Sequence, residues 1–503
     1  MTKLLWSFFA FGRVFLFSFL NFVGVFTLKK KNMKRKLFLL TALMWLSLMG
    51  FAQRKEVVIL TLNDMHAAIE NFPKLADVVD SLREQYPQLI VFSAGDNRTG
   101  NPFNDRYSDP SYPMTALMNQ IGVAASAIGN HEWDNKAEGF RHQMRRSNFR
   151  YLCANMKAPD SLRLHVLPYQ FFNIEGVKLG VLGTIQLGIH GIPDCHPDNV
   201  KGIGFLPANE VIPDYEWMRK ECDVLALLSH DGYETDQETA KLFPWFDVIL
   251  GGHTHTLVPA NTFHNGVLVT QSLNKVKYAT LVRIAVENGK VVSKESEVID
   301  IAHHQGENEV VANMIDFFHQ NEEMHRVLCT VERPLTDVEE IGCLMADALR
   351  EESGCDVYVQ NGGGVRFSEF PAGPMTVGDV LRLDPFGNES MVMEMTGQQL
   401  ADFIMQCRDY DEEVPPFVSG IRYSLTINPK DKAHSQSIKL FTEDGQKLKL
   451  KRKYKVGTSN YIQTLCPLFN GEGVGATTSD LIERFLAKKG SVDYAGVHRI
   501  EVK

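Results

Sequence analysis

Five short clusters in this 503-residue chain carry side chains able to bind metal ions, and each follows directly on a run with strand character. Asn63-Asp64-Met65-His66 comes after residues 57–62, Gly95-Asp96-Asn97 after 89–93, and Gly129-Asn130-His131-Glu132-Trp133-Asp134 after 124–128. Ser229-His230-Asp231 closes residues 224–228, and Gly251-Gly252-His253-Thr254-His255 follows Val248–Leu250. Asp64, His66, Asp96, Asn130, His230, His253 and His255 together offer carboxylate, imidazole and amide-carbonyl donors and no thiolate. Such a set suits Mn, Zn, Fe, Co or Mg and excludes a structural cysteine-zinc site. Seven donors exceed one tetrahedral shell; they suit two divalent ions with Asp96 as a bridging carboxylate and an open position on each for water. Two cations roughly 3.5–4 Å apart clamp the attacking and leaving oxygens of an in-line phosphoryl displacement and lower the pKa of bound water, which then attacks phosphorus.

Taken singly, each cluster has a plainer explanation. A histidine at a strand end is more often packed or solvated than ligating, and Asn-Asp and Gly-Asp are ordinary turn dipeptides. All five fall at the same kind of place, the carboxyl end of a strand, and that coincidence is hard to obtain by chance. Around them, β-branched runs alternate with amphipathic stretches: Phe72–Gln85, 114–121 and 235–242 read as helices, and 177–183 adds a strand. This βαβ pattern predicts a layered α/β domain over 54–302, with ligands gathering at the carboxyl edge of its strands. Residues 303–326 read as a linker helix, entered through a solvated His303-His304. Residues 327–503 form a second unit with strands at Val357–Gln360, 392–395 and 454–458.

The composition, 44% hydrophobic and 22% charged, is that of a globular protein. Charge is uneven: residues 1–53 hold eight basic and no acidic side chains, which leaves 44 basic against 61 acidic, a balance of −17, in the rest. An acidic body repels a phosphate backbone and argues against a nucleic-acid polymer as partner; an anionic small substrate would need local cations. The basic Lys34-Arg35-Lys36, an apolar run over 37–52 and a small-residue end at Ala52 make a signal peptide at 33–52, with translation starting at Met33. The protein is therefore expected in the periplasm or secreted, with no membrane insertion after cleavage; the competing reading makes 4–28 an anchor. Eight cysteines show no C-x-x-C pair and read mainly as buried thiols.

The order D-x-H, G-D, G-N-H-E, lone His, G-H-x-H resembles that of the calcineurin-like metallophosphoesterases. Asn361-Gly362-Gly363-Gly364-Val365-Arg366 and Pro385-Phe386-Gly387-Asn388 look like the C-terminal domain of the two-domain 5′-nucleotidase and UDP-sugar hydrolase family. The resemblance implies a β-sandwich flanked by helices, then a linker helix and an α+β domain. It implies one metal site from Asp64, His66, Asp96 and His255, a second from Asp96, Asn130, His230 and His253, and a transition-state role for His131 oriented by Asp134. Asn361 and Arg366 would bind substrate, and Phe386 and Tyr461 would clamp a base, with Glu472 at the position of the family's ribose-binding Asp. Departures from the pattern are a longer loop before Glu472, Ala67 where Gly is usual, and Asp337-Val338-Glu339-Glu340 where an Arg-containing segment is usual. The expected activity is hydrolysis of 5′-nucleotides to nucleoside and phosphate. The alternatives are UDP-sugar or 2′,3′-cyclic nucleotide hydrolysis at the same centre, or nucleotide binding without turnover. No protein partner is evident.

Overall fold

The computed structural model describes residues 54–410, 414–465 and 470–503. The signal peptide, its cleavage site and Cys466 fall outside the described residues.

Two six-stranded sheets form the N-terminal part. The first runs in the order Lys290–Asp300, Tyr278–Glu287, Lys55–Leu62, Ile90–Ser93, Val123–Ala127, Arg150–Leu152, and the last four strands are mutually parallel. In the second, Val177–Ile185, Val224–His230, Val248–Leu250 and Val267–Thr270 are parallel, flanked by antiparallel edges. Parallel strands end at one edge, which is why the five clusters can meet.

The two faces of each strand explain the near-continuous apolar runs. Val57 and Ile59 pack inward with Val181, Ala226 and Val248 of the second sheet, while Val58 and Leu60 point to the helices outside. The helix Phe72–Gln85 returns Phe72, Leu75, Ala76 and Val79 to that face at i, i+3, i+4, i+7 spacing, and Pro73 sits in its first turn, where no amide donor is missed. Leu225, Leu227 and Ile249 bury the outer face of the second sheet against Ile212, Met218 and Phe246.

The predicted linker helix is shorter than 303–326. Asn308 caps its start by accepting from the Val311 amide at 3.0 Å, the helix covers Glu309–Phe318, and a separate 3-10 turn follows at Glu322–His325. Its apolar stripe ends at Phe318, and the polar His319-Gln320-Asn321 has no face to bury. Nor is the entry wholly solvated, because His304 Nε2 lies 2.7 Å from Asp77 Oδ2 on the helix Phe72–Gln85. Val311, Ile315, Phe318 and Met324 carry one apolar cluster from the N-terminal helices into the C-terminal part.

There, a five-stranded sheet runs Phe417–Ser419, Val357–Gln360, Lys453–Ser459, Glu389–Thr396, Glu472–Thr477. The helix Val338–Ser353 covers one face and Gly397–Tyr410 the other. Asp337 is the N-cap of Val338–Ser353, accepting from the Glu339 amide, and Glu340 takes the Thr336 and Gly496 amides. The acidic segment in place of an arginine thus has a structural use. Cys153, Cys195, Cys222, Cys329, Cys343 and Cys355 are free thiols, buried or half-buried. No described helix is long and apolar enough to cross a membrane.

Candidate metal centre and substrate cleft

Backbone hydrogen bonds zip the first two cluster loops together: Asp64 N–H donates to Gly95 O, His66 N–H to Asp96 O and Ala67 N–H to Asn97 O, each at 3.0 Å. Ala67 holds φ +53°, the left-handed region that favours the Gly usual at this place. Glu132 fixes the third loop to the second. Its Oε2 accepts from the amides of Asp96 (3.0 Å) and Gly129 (2.7 Å), and its Oε1 from Asn97 N–H (2.9 Å) and Nδ2 (3.2 Å). Gly129 leaves room for this, because a Cβ there would stand 2.1 Å from Asp96 Oδ1.

Five of the seven expected ligands, Asp64, His66, Asp96, His253 and His255, sit at positive φ between 45° and 82°. Left-handed backbone is costly for such residues and persists where the surroundings enforce it, characteristically at functional sites.

All seven side chains converge. Ligand atoms of Asp64, His66 and His255 lie within 4.8 Å of one another, as do those of Asp64, Asp96 and His230. His230 Nε2 is 3.3 Å from Asp96 Oδ2 and 3.2 Å from Asn130 Oδ1, and His253 Nδ1 is 3.1 Å from the same Asn130 oxygen. The ring tautomers follow from carbonyl partners, which only accept. His230 Nδ1–H donates to Ala94 O at 2.7 Å and His66 Nδ1–H to Thr99 O at 3.2 Å, so both Nε2 atoms face the centre. His66 Nε2 then stands 2.9 Å from His255 Nε2. Two ring nitrogens this close need a shared cation or proton between them, and the donor set fits a divalent metal.

Burial and close packing of acids against imidazoles shift the titration of this cluster. Burial pushes the Asp64 carboxyl up to about 7, with His230 opposing and Asp96 adding. Burial also acts to raise Asp96, yet His230, His131 and His66 hold it well below the ordinary carboxylate range. Burial lowers His230, but Asp96 and Asp64 overcome it and lift it to about 10. His253 and His255 drop to about 3, both chiefly by burial, with His230 and Arg366 respectively adding. Their neutral nitrogens are in the state that binds metal.

His131 faces the same centre, and its ligand atom lies within 4.8 Å of those of His66 and Asp96. Its N–H donates to Asp96 Oδ1 at 2.8 Å, its Nδ1 meets Asp134 Oδ2 at 2.8 Å, and its Nε2 lies 3.9 Å from Asp96 Oδ2. Burial lowers this imidazole, but Asp96 and Asp134 together raise it, favouring the protonated ring.

A cleft of about 840 Å³ opens over the centre between the N- and C-terminal parts. Asn361, Arg366, Phe386 and Tyr461 are among the residues lining it. Phe386 stacks on His131 (centroids 5.9 Å apart, planes at 23°), and the Arg366 guanidinium lies 5.6 Å from the Phe386 ring centre. Glu472 departs from the expectation. It begins an exposed strand paired at Val392 and is not among the residues lining the cleft. Its side chain is exposed.

Sequence reasoning missed Glu132 and Asp194. Glu132 lies inside one of the five clusters, and a fully buried acid beside such a loop needs hydrogen-bond donors. Asp194, which lines the cleft, lies in a segment without regular structure and had no motif to announce it.

A dense oxygen and nitrogen donor set beneath a cleft faced by an arginine and an aromatic ring is an arrangement suited to metal-assisted phosphoester chemistry. Residues 57–257 match the family model for calcineurin-like phosphoesterase and residues 327–470 that for the 5′-nucleotidase C-terminal domain. The chain belongs to the calcineurin-like phosphoesterases that carry a 5′-nucleotidase C-terminal domain. It is 24% identical over 501 residues to the trifunctional nucleotide phosphoesterase protein YfkN of Bacillus subtilis (strain 168), covering 87% of this chain and 34% of that protein, so it spans about a third of that relative's length. To protein UshA of Yersinia enterocolitica it is 25% identical over 495 residues, covering 83% of this chain and 86% of that one. Among solved structures, the 5′-nucleotidase precursor from Thermus thermophilus superposes with a TM-score of 0.78 at 23% identity, covering 89% of this chain and 99% of that chain, which shows the shared fold.

Proposed function

We propose that the chain is an exported phosphohydrolase that binds two divalent cations and releases phosphate from 5′-nucleotides. The observation that carries this is the convergence of seven metal-type ligands, with two ring nitrogens 2.9 Å apart, beneath a wall bearing Arg366 and Phe386. One cation would be held by Asp64, His66, Asp96 and His255, the other by Asp96, Asn130, His230 and His253. Such a pair supplies Lewis acidity and an activated water.

The chain's own residues do the rest. Asp134 fixes the His131 ring so that Nε2 points to the centre, where the charged imidazole stabilises the transferring phosphoryl oxygens and gives a proton to the leaving oxygen. Arg366 adds positive charge at that end of the cleft, reaching His66 and His255. Asn361 contacts substrate, and Phe386 and Tyr461 hold the base. The domains are assigned as 54–302, a linker over 303–326, and 327–503, with residues 33–52 removed on export.

The reading is tested by phosphate release from nucleoside monophosphates, UDP-glucose, cyclic nucleotides and p-nitrophenyl phosphate with each divalent metal. Nucleoside monophosphates are expected to be the best substrates. Nucleotide binding without turnover under any metal would contradict the reading.

A further inference from the structure

Where a leaving group would pass between the metal ligands and the base-binding aromatics, the cleft carries a carboxylate held in place from both sides. Asp194 Oδ2 lies 3.9 Å from His253 Nε2, and its Oδ1 accepts from the Tyr410 hydroxyl at 3.2 Å. Tyr410 Oη is in turn 3.0 Å from Tyr461 Oη. The backbone of Asp194 is tied to the ligand set as well, its carbonyl accepting from Asn130 Nδ2 at 3.3 Å. The chain turns closely around this side chain, since a Cβ on Gly188 would stand 2.0 Å from Asp194 Oδ1. With 34% of its side chain exposed, Asp194 still faces the cleft.

Charges of both signs line that cleft. Arg366 acts at the metal end, where its charge bears on His66, His131 and His255, and Lys136 follows closely on the His131 loop. Asp198 and Asp409 line the wall along with Asp194. With the scissile phosphate at the metal ligands, the next group outward is a neutral sugar in a nucleoside monophosphate. In a nucleoside diphosphate or a UDP-sugar it is a second anionic phosphate. A carboxylate accepts hydrogen bonds from sugar hydroxyls and repels phosphate, and partial burial limits the screening of that repulsion.

We propose that Asp194 is a specificity-determining residue that selects leaving groups presenting hydroxyl donors and rejects those presenting a second phosphate. The inference rests on the phosphohydrolase reading of the same site and narrows its substrates to monophosphates.

The test is Asp194→Asn in the metal-loaded full chain, with kcat/KM measured for AMP, ADP, p-nitrophenyl phosphate and inorganic pyrophosphate at low and high ionic strength. The amide keeps an acceptor for Tyr410 and removes the charge. The ADP-to-AMP and pyrophosphate-to-nitrophenyl-phosphate ratios should each rise about tenfold, the scale of one like-charge contact in a partly wet cleft. In the wild type both ratios should rise with salt, and in the variant that dependence should flatten. Tyr410→Phe, which keeps the carboxylate but loosens its hold, should shift both ratios in the same direction by a smaller factor. Parallel losses on all four substrates, or ratios unmoved in both variants, would overturn the proposal. The pyrophosphate pair carries no nucleobase, so poor turnover of nucleotides alone would count against the proposed function, whereas an unmoved pyrophosphate ratio counts against Asp194.

Discussion

Replacing Glu132 by Gln isolates the clamp that holds the loop of Asp96. The carboxylate accepts four hydrogen bonds, two at each oxygen, three of them from backbone amides. A glutamine offers one oxygen and one NH2. In its better orientation the oxygen keeps the Asp96 and Gly129 amides, and the NH2 is turned against the Asn97 donors. Hydrogen bonds to a charged acceptor contribute about 1.5–3 kcal/mol each, so losing two costs roughly 3–6 kcal/mol. Against this, burial and then the neighbouring Asp96 raise the Glu132 pKa, so the native carboxylate is itself disfavoured and removing its charge offsets part of the loss. The net should be about 2–4 kcal/mol of destabilisation, measured by denaturant unfolding of the metal-free protein. Metal affinity should fall about 10–100-fold by titration, the usual effect of losing a partner that orients ligands. A variant with wild-type stability and affinity would refute the view that Glu132 sets the geometry of the centre.

His131→Ala should lower kcat by roughly 10²–10⁴ with metal content intact by elemental analysis; loss of metal would instead make His131 a ligand. Phe386→Ala should raise KM for nucleoside monophosphates about 5–150-fold, and less for an aryl phosphate without a base; equal rises would make Phe386 a packing residue. Burial lifts Asp384 to about 6, against opposing bonds from Thr478 and the Phe386 amide. A folded pKa above the unfolded value means that this stability is full below pH ~4 and lost as pH rises through about 6. Asp384→Asn should therefore be the more stable protein at pH 7, by up to ~3 kcal/mol, and no more stable at pH 4; an equal gain at both pH values would refute this linkage.

The convergence of the five clusters was legible because a strand followed by Gly, Asp, Asn or His leaves a local trace, and parallel strands bring such ends to one edge. Phe72–Gln85 was legible to the residue, since Pro73 marks its first turn and its apolar period is complete. The helix expected at 114–121 begins earlier, as Tyr112–Gln120, because Pro113 is tolerated in a first turn. The linker was overextended because its polar tail resembles the exposed face of a helix. Glu132 and Asp194 escaped for different reasons. The first works through backbone amides, which carry no residue identity, and the second meets Tyr410 from a segment 216 positions distant in the chain. Glu472 lies on an exposed strand and not among the residues lining the cleft, a placement no local motif specifies.

The central claim, a dinuclear centre bridged by Asp96, is tested most directly by anomalous diffraction from crystals of the metal-loaded protein. Two peaks roughly 3.5–4 Å apart, both within bonding distance of the Asp96 carboxylate, are the predicted result. A single peak, or two ions with no shared Asp96 oxygen, would contradict it.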